Sequence, residues 1–401
     1  MTNNNNNLEL EKSPLSVSND GQSPLGIYAK YVSHFTSTKE AKADDSIEKN
    51  EKKQLKKERL KIQRMASKLL PTSRVSNCLW ALTSNLNNVD VVYNFQARNA
   101  RFTNLQTCGS VWDCPCCSSS ISEKRRVELN DLLIYARTSK LFPIMLTLTV
   151  KHNYADNLAN LLDSLKEAKR RMTNHRGYKK VKEKLIGTVT ATEVTGGGVN
   201  GWHPHFHMIL ILKTSTEEEA LALVKTLKQP WLVSLRAEGL EGSDAAFQVQ
   251  NASAAGKYIT KWGAAEELTL AGKKKGMGAG RTPFQLLADY ADDDSRAGFL
   301  FQEYARAFKG RRQLVWSNGL KKLAKINEQS DEDIAAEEVR KFEESLCDHL
   351  VHSFTPAEWK EVRHNRADIL SEAEESFIQN NSNKVDYFSE IETTIKDSDF
   401  F

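Results

Sequence analysis

The sequence predicts an α+β fold of ferredoxin-like type, an antiparallel sheet with helices packed on one face. Three observations carry that reading. Residues 142–150, 186–195 and 205–212 are β-rich runs. Leucines recur at helical spacing between the first two runs, and a glycine-rich break separates the last two.

Each element has its own justification. Residues 1–45 are rich in Asn, Ser, Lys and Asp with no apolar period, which predicts disorder. Lys49–Leu70 is dense in Lys, Glu, Gln and Leu and reads as a charged helix. Phe142–Val150 reads as a strand, and Leu158, Leu161, Leu162 and Leu165 give a helix over about 157–172. Ile186–Thr195 is β-branched and alternating, so it is a second strand, and His205–Leu212 forms a third. Ser215 with Glu218 makes a capping box for a helix to about Lys228. Ala246–Gln250 reads as a fourth strand, with a helix from about Ser253. The order is β-α-β-β-α-β, then another helix. Domain boundaries follow: a charged, partly disordered region over 1–70, a cysteine-rich module over 71–135, the sheet domain over 136–322, and an acidic helical tail over 323–401.

The sharpest chemical signal lies in Trp202-His-Pro-His-Phe-His207. On a strand, residues i and i+2 point to one face, so His205 and His207 project side by side and Phe206 points into the core. A hairpin closing near residue 199 or 200 sets Glu193 opposite His205 or His207, on the same face. Two imidazoles and a carboxylate suit a divalent ion such as Mg²⁺ or Mn²⁺ and leave positions for a phosphate oxygen. His203 shares the alternation, but Pro204 and the turn place it at the rim. Further on, Tyr258 and Lys261 are three apart at the start of a helix and share a face. A phenol with a pKa near 10 needs a metal or a cation to attack phosphorus at neutral pH, and Lys261 is such a cation.

Cys108, Cys114 and Cys117 have the spacing of a structural Zn²⁺ site, with Cys78 the natural fourth ligand. Cys116 occupies the variable position between Cys114 and Cys117, with an exchange against Cys117 left open. Cys347 stands apart and reads as structural. Lys124, Arg125 and Arg126 follow the cluster and offer a DNA contact, although a purely structural module is nearly as good a reading.

Charge is unevenly spread. The net charge of +4 divides into +16 before residue 325 and −12 from there onward. A basic body with an acidic tail points to nucleic acid as partner, and the tail is expected to temper nonspecific binding. Truncation near residue 322 would then strengthen DNA binding at low salt. No apolar run approaches the ~20 residues needed to cross a bilayer, and no signal-like segment opens the chain. A cytoplasmic protein without a membrane partner is expected.

Taken together, Leu146-Thr-Leu-Thr149, His205-Phe-His207, Tyr258-x-x-Lys261, the Cys108–Cys117 cluster and Lys309–Ser317 resemble the plasmid rolling-circle replication initiators of the HUH endonuclease superfamily. The resemblance covers roughly residues 75–320. It implies an HUH core preceded by a zinc module, and a nicking-joining endonuclease. In that mechanism Tyr258 attacks a phosphodiester at the plasmid's double-strand origin, becomes linked to the 5′-phosphate and frees a 3′-OH primer. Single-stranded DNA and a host helicase are the further partners implied. One departure stands out: Ala254 occupies the position where some relatives carry a glutamate for termination, so the final step is open. A relaxase or single-tyrosine transposase of the same chemistry, a small-molecule metal hydrolase and a non-catalytic DNA binder are the alternatives.

Overall fold

The computed structural model describes residues 41–198, 200–251, 280–340 and 347–380. The chain divides into two units, residues 1–52 and residues 53–401. Helix α1 (Ala41–Leu69) begins in the first; its part from residue 53 onward belongs to the second, which is described from here on. In that part Ile62 and Ala66 are buried, and Gln63 donates to the carbonyls of Val75 and Cys78 at 3.0 Å each. The helix thereby anchors the loop that carries Cys78.

Next comes a hairpin, β1 (Val89–Asn94) and β2 (Asn99–Phe102). Helix α2 (Pro115–Thr138) starts with Cys114 as its N-cap and Pro115 in its first turn, where a missing N–H costs nothing. Strand β3 (Phe142–Leu148) leads to α3 (Leu158–Asn174), capped by Asn157 and burying Leu158, Leu161, Leu162, Leu165, Ala168 and Met172. A short α4 (Lys179–Lys184) precedes β4 (Leu185–Gly198) and β5 (Gly201–Leu212). Helix α5 (Glu217–Lys225) is capped by Thr216 with Glu219, one residue later than the Ser215–Glu218 box expected. Thr216 is the residue with extended backbone, which a capping side chain requires. A second helix follows at once, α6 (Lys228–Ala237), then β6 (Phe247–Gln250). The remainder comprises α7 (Pro283–Ala291), α8 (Ser295–Phe308), β7 (Leu314–Trp316), α9 (Leu320–Leu323), α10 (Asp331–Glu337), β8 (Asp348–Phe354), α11 (Pro356–Val362) and α12 (Arg366–Asn380).

Five strands form one antiparallel sheet in the order β6-β3-β5-β4-β7. Phe206, Met208, Leu210 and Leu212 bury one face of it under α3, α5 and α6. The expectation of helices on one face alone needs correction. Ile209, Ile211, Val189 and Ala191 pack the other face against Leu129, Leu132 and Ala136 of α2. The reason is written in Met208-Ile-Leu-Ile-Leu212, an unbroken apolar run that only a strand covered on both faces can bury.

The hairpin between β4 and β5 turns at glycines that tolerate no replacement. A Cβ on Gly196 would lie 2.1 Å from the Trp202 ring. Gly201 has φ +76°, with the Asn153 carbonyl 2.7 Å from where its Cβ would stand.

A second sheet, β2-β1-β8, joins distant parts of the chain. Within the stretch expected as an acidic helical tail, β8 pairs antiparallel with β1 from Val89↔Phe354 to Asn94↔Asp348. Trp359 of α11 is fully buried against Phe102 and donates to the Trp80 carbonyl at 3.0 Å. This segment is therefore part of the core. Among the described residues, no helix is long and apolar enough to cross a membrane.

Candidate functional site

The open end of the sheet carries the first candidate group. Strand register sets Glu193 opposite His205, with His207 two residues on and facing the same way. Oε2 of Glu193 lies 3.2 Å from Nε2 of His205 and 3.3 Å from Nε2 of His207. An ion about 2.1 Å from each donor sets neighbouring ligands roughly 3.0–3.4 Å apart, so these donor atoms fit a shared divalent cation. The two histidine side chains are 15 % exposed and the glutamate 35 %, whereas Ile209 beyond them is buried. The group thus sits where the covered face opens to solvent. Burial opposes the charge on Glu193, but the hydrogen bonds and positive charge of His205 and His207 outweigh it and hold the carboxyl well below the usual range.

Second contacts fix the rings. Thr147 of β3 is paired with His207, and its Oγ1 lies 3.0 Å from His207 Nδ1. That contact leaves Nε2 as the free ligand atom, the outer support a metal-bound imidazole requires. His203 is not among the three converging ligand atoms; its ring lies 5.4 Å from that of His205 and stacks on His152 with centroids 4.7 Å apart. Burial, with His205 and His152 nearby, pushes its pKa down to about 4. His152 in turn contacts the Asn200 carbonyl at 2.8 Å.

The second group is made of sulfur. Cys78, Cys108, Cys114 and Cys117 are buried, with Sγ–Sγ distances of 3.5 Å (78–117), 3.6 Å (108–117) and 3.6 Å (78–114). A disulfide would need about 2.05 Å. Four thiolates around one ion at about 2.3 Å stand roughly 3.8 Å apart, which is close to what is found. The backbone N–H groups of Ser110 and Cys117 point at the sulfurs of Cys108 and Cys114, and the N-terminus of α2 favours negative charge there. Cys116 turns away toward the Arg59 carbonyl, so Cys117, not its neighbour, completes the cluster.

Of the basic run after the cluster, Arg125 is turned inward. It bonds Glu128 at 2.5 Å and Asp331 at 2.6 Å, which takes it out of reach of a ligand. Arg126 is tied to Glu123. Leu314–Trp316, within the Lys309–Ser317 segment, serves as the edge strand beside β4, with Leu314 opposite Ala191. Tyr258 and Lys261 lie outside the described residues, as does the helix expected from Ser253. Thr147 and the stacking of His152 on His203 were not anticipated; only the recurrence of Thr in the Leu146–Thr149 run hinted at the former.

Residues 99–231 match a family model described as a replication protein, Rep_1. That stretch contains Glu193, His205, His207 and the cysteines from Cys108 to Cys117. Among curated proteins the chain is similar to a "Protein rep" of Streptomyces lividans, 26 % identical over 292 residues, covering 55 % of this chain and 64 % of that protein. It is also similar to a "Neomycin resistance protein" of Streptomyces cyanogenus, 29 % identical over 140 residues, 28 % of this chain and 32 % of the other. A "Protein rep" of Lactiplantibacillus plantarum is 34 % identical over 106 residues, 25 % of this chain and 32 % of its own length. The chain thus spans less than two thirds of each of these relatives. No solved structure matches it.

Proposed function

We propose that the chain, similar over residues 99–231 to replication proteins, is a plasmid replication initiator that nicks one strand of a plasmid's double-strand origin to start rolling-circle replication. The observation that carries the proposal is the Glu193–His205–His207 group at the open end of the sheet, inside the segment matched to replication proteins. In this reading the sheet domain over 136–322 is a ferredoxin-like HUH endonuclease core. The β-α-β-β-α-β order and the β6-β3-β5-β4 strand neighbours support it. The 71–135 region is a zinc module, supported by the four converging sulfurs.

Glu193, His205 and His207 hold Mg²⁺ or Mn²⁺, which when bound supplies positive charge to a scissile phosphate oxygen. Tyr258 is the nucleophile. Its phenolic oxygen forms a bond to phosphorus as the P–O3′ bond breaks, giving a 5′-phosphotyrosine and a 3′-OH. The phenol's proton leaves to solvent or a nearby base, and the departing 3′-oxygen takes one up. Lys261 stabilises the charge that builds on the phosphoryl oxygens. Cys78, Cys108, Cys114 and Cys117 hold Zn²⁺ and keep α2 in place. A nicked duplex must be unwound for the primer to extend, so single-stranded DNA and a host helicase are the partners this reading requires.

The test is a denaturation-resistant adduct between the full chain and an origin oligonucleotide in Mg²⁺ or Mn²⁺. Wild type should form it, and both Tyr258→Phe and chelation should abolish it. An adduct that persists in Tyr258→Phe moves the nucleophile elsewhere. No adduct with wild type on an origin that supports replication refutes the nickase.

A further inference from the structure

Three arginines from separate parts of the chain gather round one tryptophan. The guanidinium of Arg64, on α1, lies 3.7 Å from the centre of the Trp80 ring. Those of Arg363 and Arg366, at the junction of α11 and α12, lie 4.5 and 5.4 Å from it. His364 meets the same ring edge-on at 4.9 Å. None of these side chains is among the converging ligand atoms of either group. Arg366 does lie within electrostatic reach of Cys116, Cys78 and Cys114, which leaves Arg64 and Arg363 as the arginines without a counter-charge among the described residues.

Like charges this close repel, and a ring face offsets only part of the cost. Among the described residues no carboxylate pairs with any of the three arginines. Arg366 is buried and spends its N–H groups on the carbonyls of Leu79 and Leu60 and on Gln63. It acts as a fixed positive charge under the other two. Arg363 keeps a buried Nε with no partner. Burial and the neighbouring Arg363 push the pKa of Arg64 down, the mark of a cation short of counter-charge. Lys68, one turn beyond Arg64, and Lys360, one turn before Arg363, are exposed and extend the positive surface.

We propose that Arg64 and Arg363, gathered over Trp80 and backed by Arg366, form a clamp for backbone phosphates of duplex DNA. The inference rests on the nickase reading for its choice of polymer. A guanidinium offers several N–H donors in a rigid plane, the chemistry that grips phosphate oxygens. The duplex is favoured over a single strand because Arg64 occupies the ring at stacking distance. An aromatic platform for unstacked bases would have to be bare. The clamp reads no sequence; it adds grip and orientation.

The test uses the full chain with Arg64→Gln and Arg363→Gln combined, and a second variant with Lys at both positions. Each is checked for a wild-type melting temperature. Affinity for an origin duplex and for its separated strand is measured across salt concentrations. Cleavage is followed on a short single-stranded oligonucleotide that spans only the nick site. The Gln variant should bind duplex roughly tenfold more weakly, with a salt slope smaller by about 2, and the Lys variant should recover the slope but only part of the affinity. Single-strand binding and short-substrate cleavage should hardly change. Wild-type duplex affinity in the Gln variant overturns the clamp. So does a Lys variant whose salt slope stays as small as that of the Gln one, since the arginines would then act through packing. An equal loss on the single strand overturns the assignment to duplex. Failure of wild type to cleave the short substrate counts against the nickase alone, because the duplex-affinity comparison stands without it.

Discussion

Thr147 touches no substrate in the proposed chemistry, yet its hydroxyl decides which nitrogen of His207 is presented to an ion. Thr147→Val keeps the shape and removes the contact. Mn²⁺ affinity, measured by calorimetry, should fall roughly 10–100-fold with the fold unchanged; an unaltered titration would show that the strand alone orients the ring. Cys114→Ser should be harsher, since Cys114 both caps α2 and faces Cys78 at 3.6 Å. On the proposed zinc reading, the expected outcome is loss of metal by elemental analysis together with a lower melting temperature. Glu193, His205 and His207 were legible in the sequence because a strand has period two and glycines mark the turn, so register follows from counting. Thr147 was not. Its role depends on which strand lies on the other side of β5, a long-range choice that the Leu146–Thr149 run does not encode. Cys117 against Cys116 needed the helix itself, whose first turn aims one thiol at Cys78 and Cys108 and the other at Arg59.

Strand β8 shows how an element can hide. Its residues Asp348–Phe354 alternate weakly and follow an acidic run, and their partner β1 lies some 250 residues earlier. Nothing local announces the pairing. Asp348 secures it: the side chain is fully enclosed and bonds Arg101 at 2.8 Å, Arg340 at 3.1 Å and Asn94 at 2.7 Å. Burial alone would raise its pKa, but Asn94 and the two arginines more than compensate and hold it below the usual value. A carboxyl whose folded pKa is depressed stabilises above its unfolded pKa of about 3.9 and loses that contribution as pH falls through the folded value. Asp348→Asn should therefore cost about 1 kcal/mol at neutral pH, discounted because Arg340 is half exposed. In melting experiments the gap between wild type and variant should close below about pH 4. A gap independent of pH would assign the loss to packing. By contrast β3, α3 and β5 were readable at once, since each carries its period within a dozen residues.

At the scale of the whole molecule, the acidic segment is structural before it is electrostatic. Cutting the chain at residue 322 removes β8, Trp359 and α12, and leaves β1 with an open edge. The expected outcome is a melting temperature lower by several degrees and poorer solubility, not the cleanly tighter DNA binding that charge counting alone suggests. A truncated chain with a wild-type melting temperature would restore the electrostatic reading. Charge asymmetry was visible in composition; the packing that uses those residues was not, because the partners of Trp359 and Asp348 lie some 250 residues earlier in the chain. The β1–β8 pairing also sets a timetable. During synthesis, residues 89–94 leave the ribosome long before residues 348–354 exist, so the early hairpin must wait with one edge bare while the five-stranded sheet forms. A message broken anywhere before the codon for residue 348 yields a chain that lacks β8 and cannot close the β2-β1-β8 sheet.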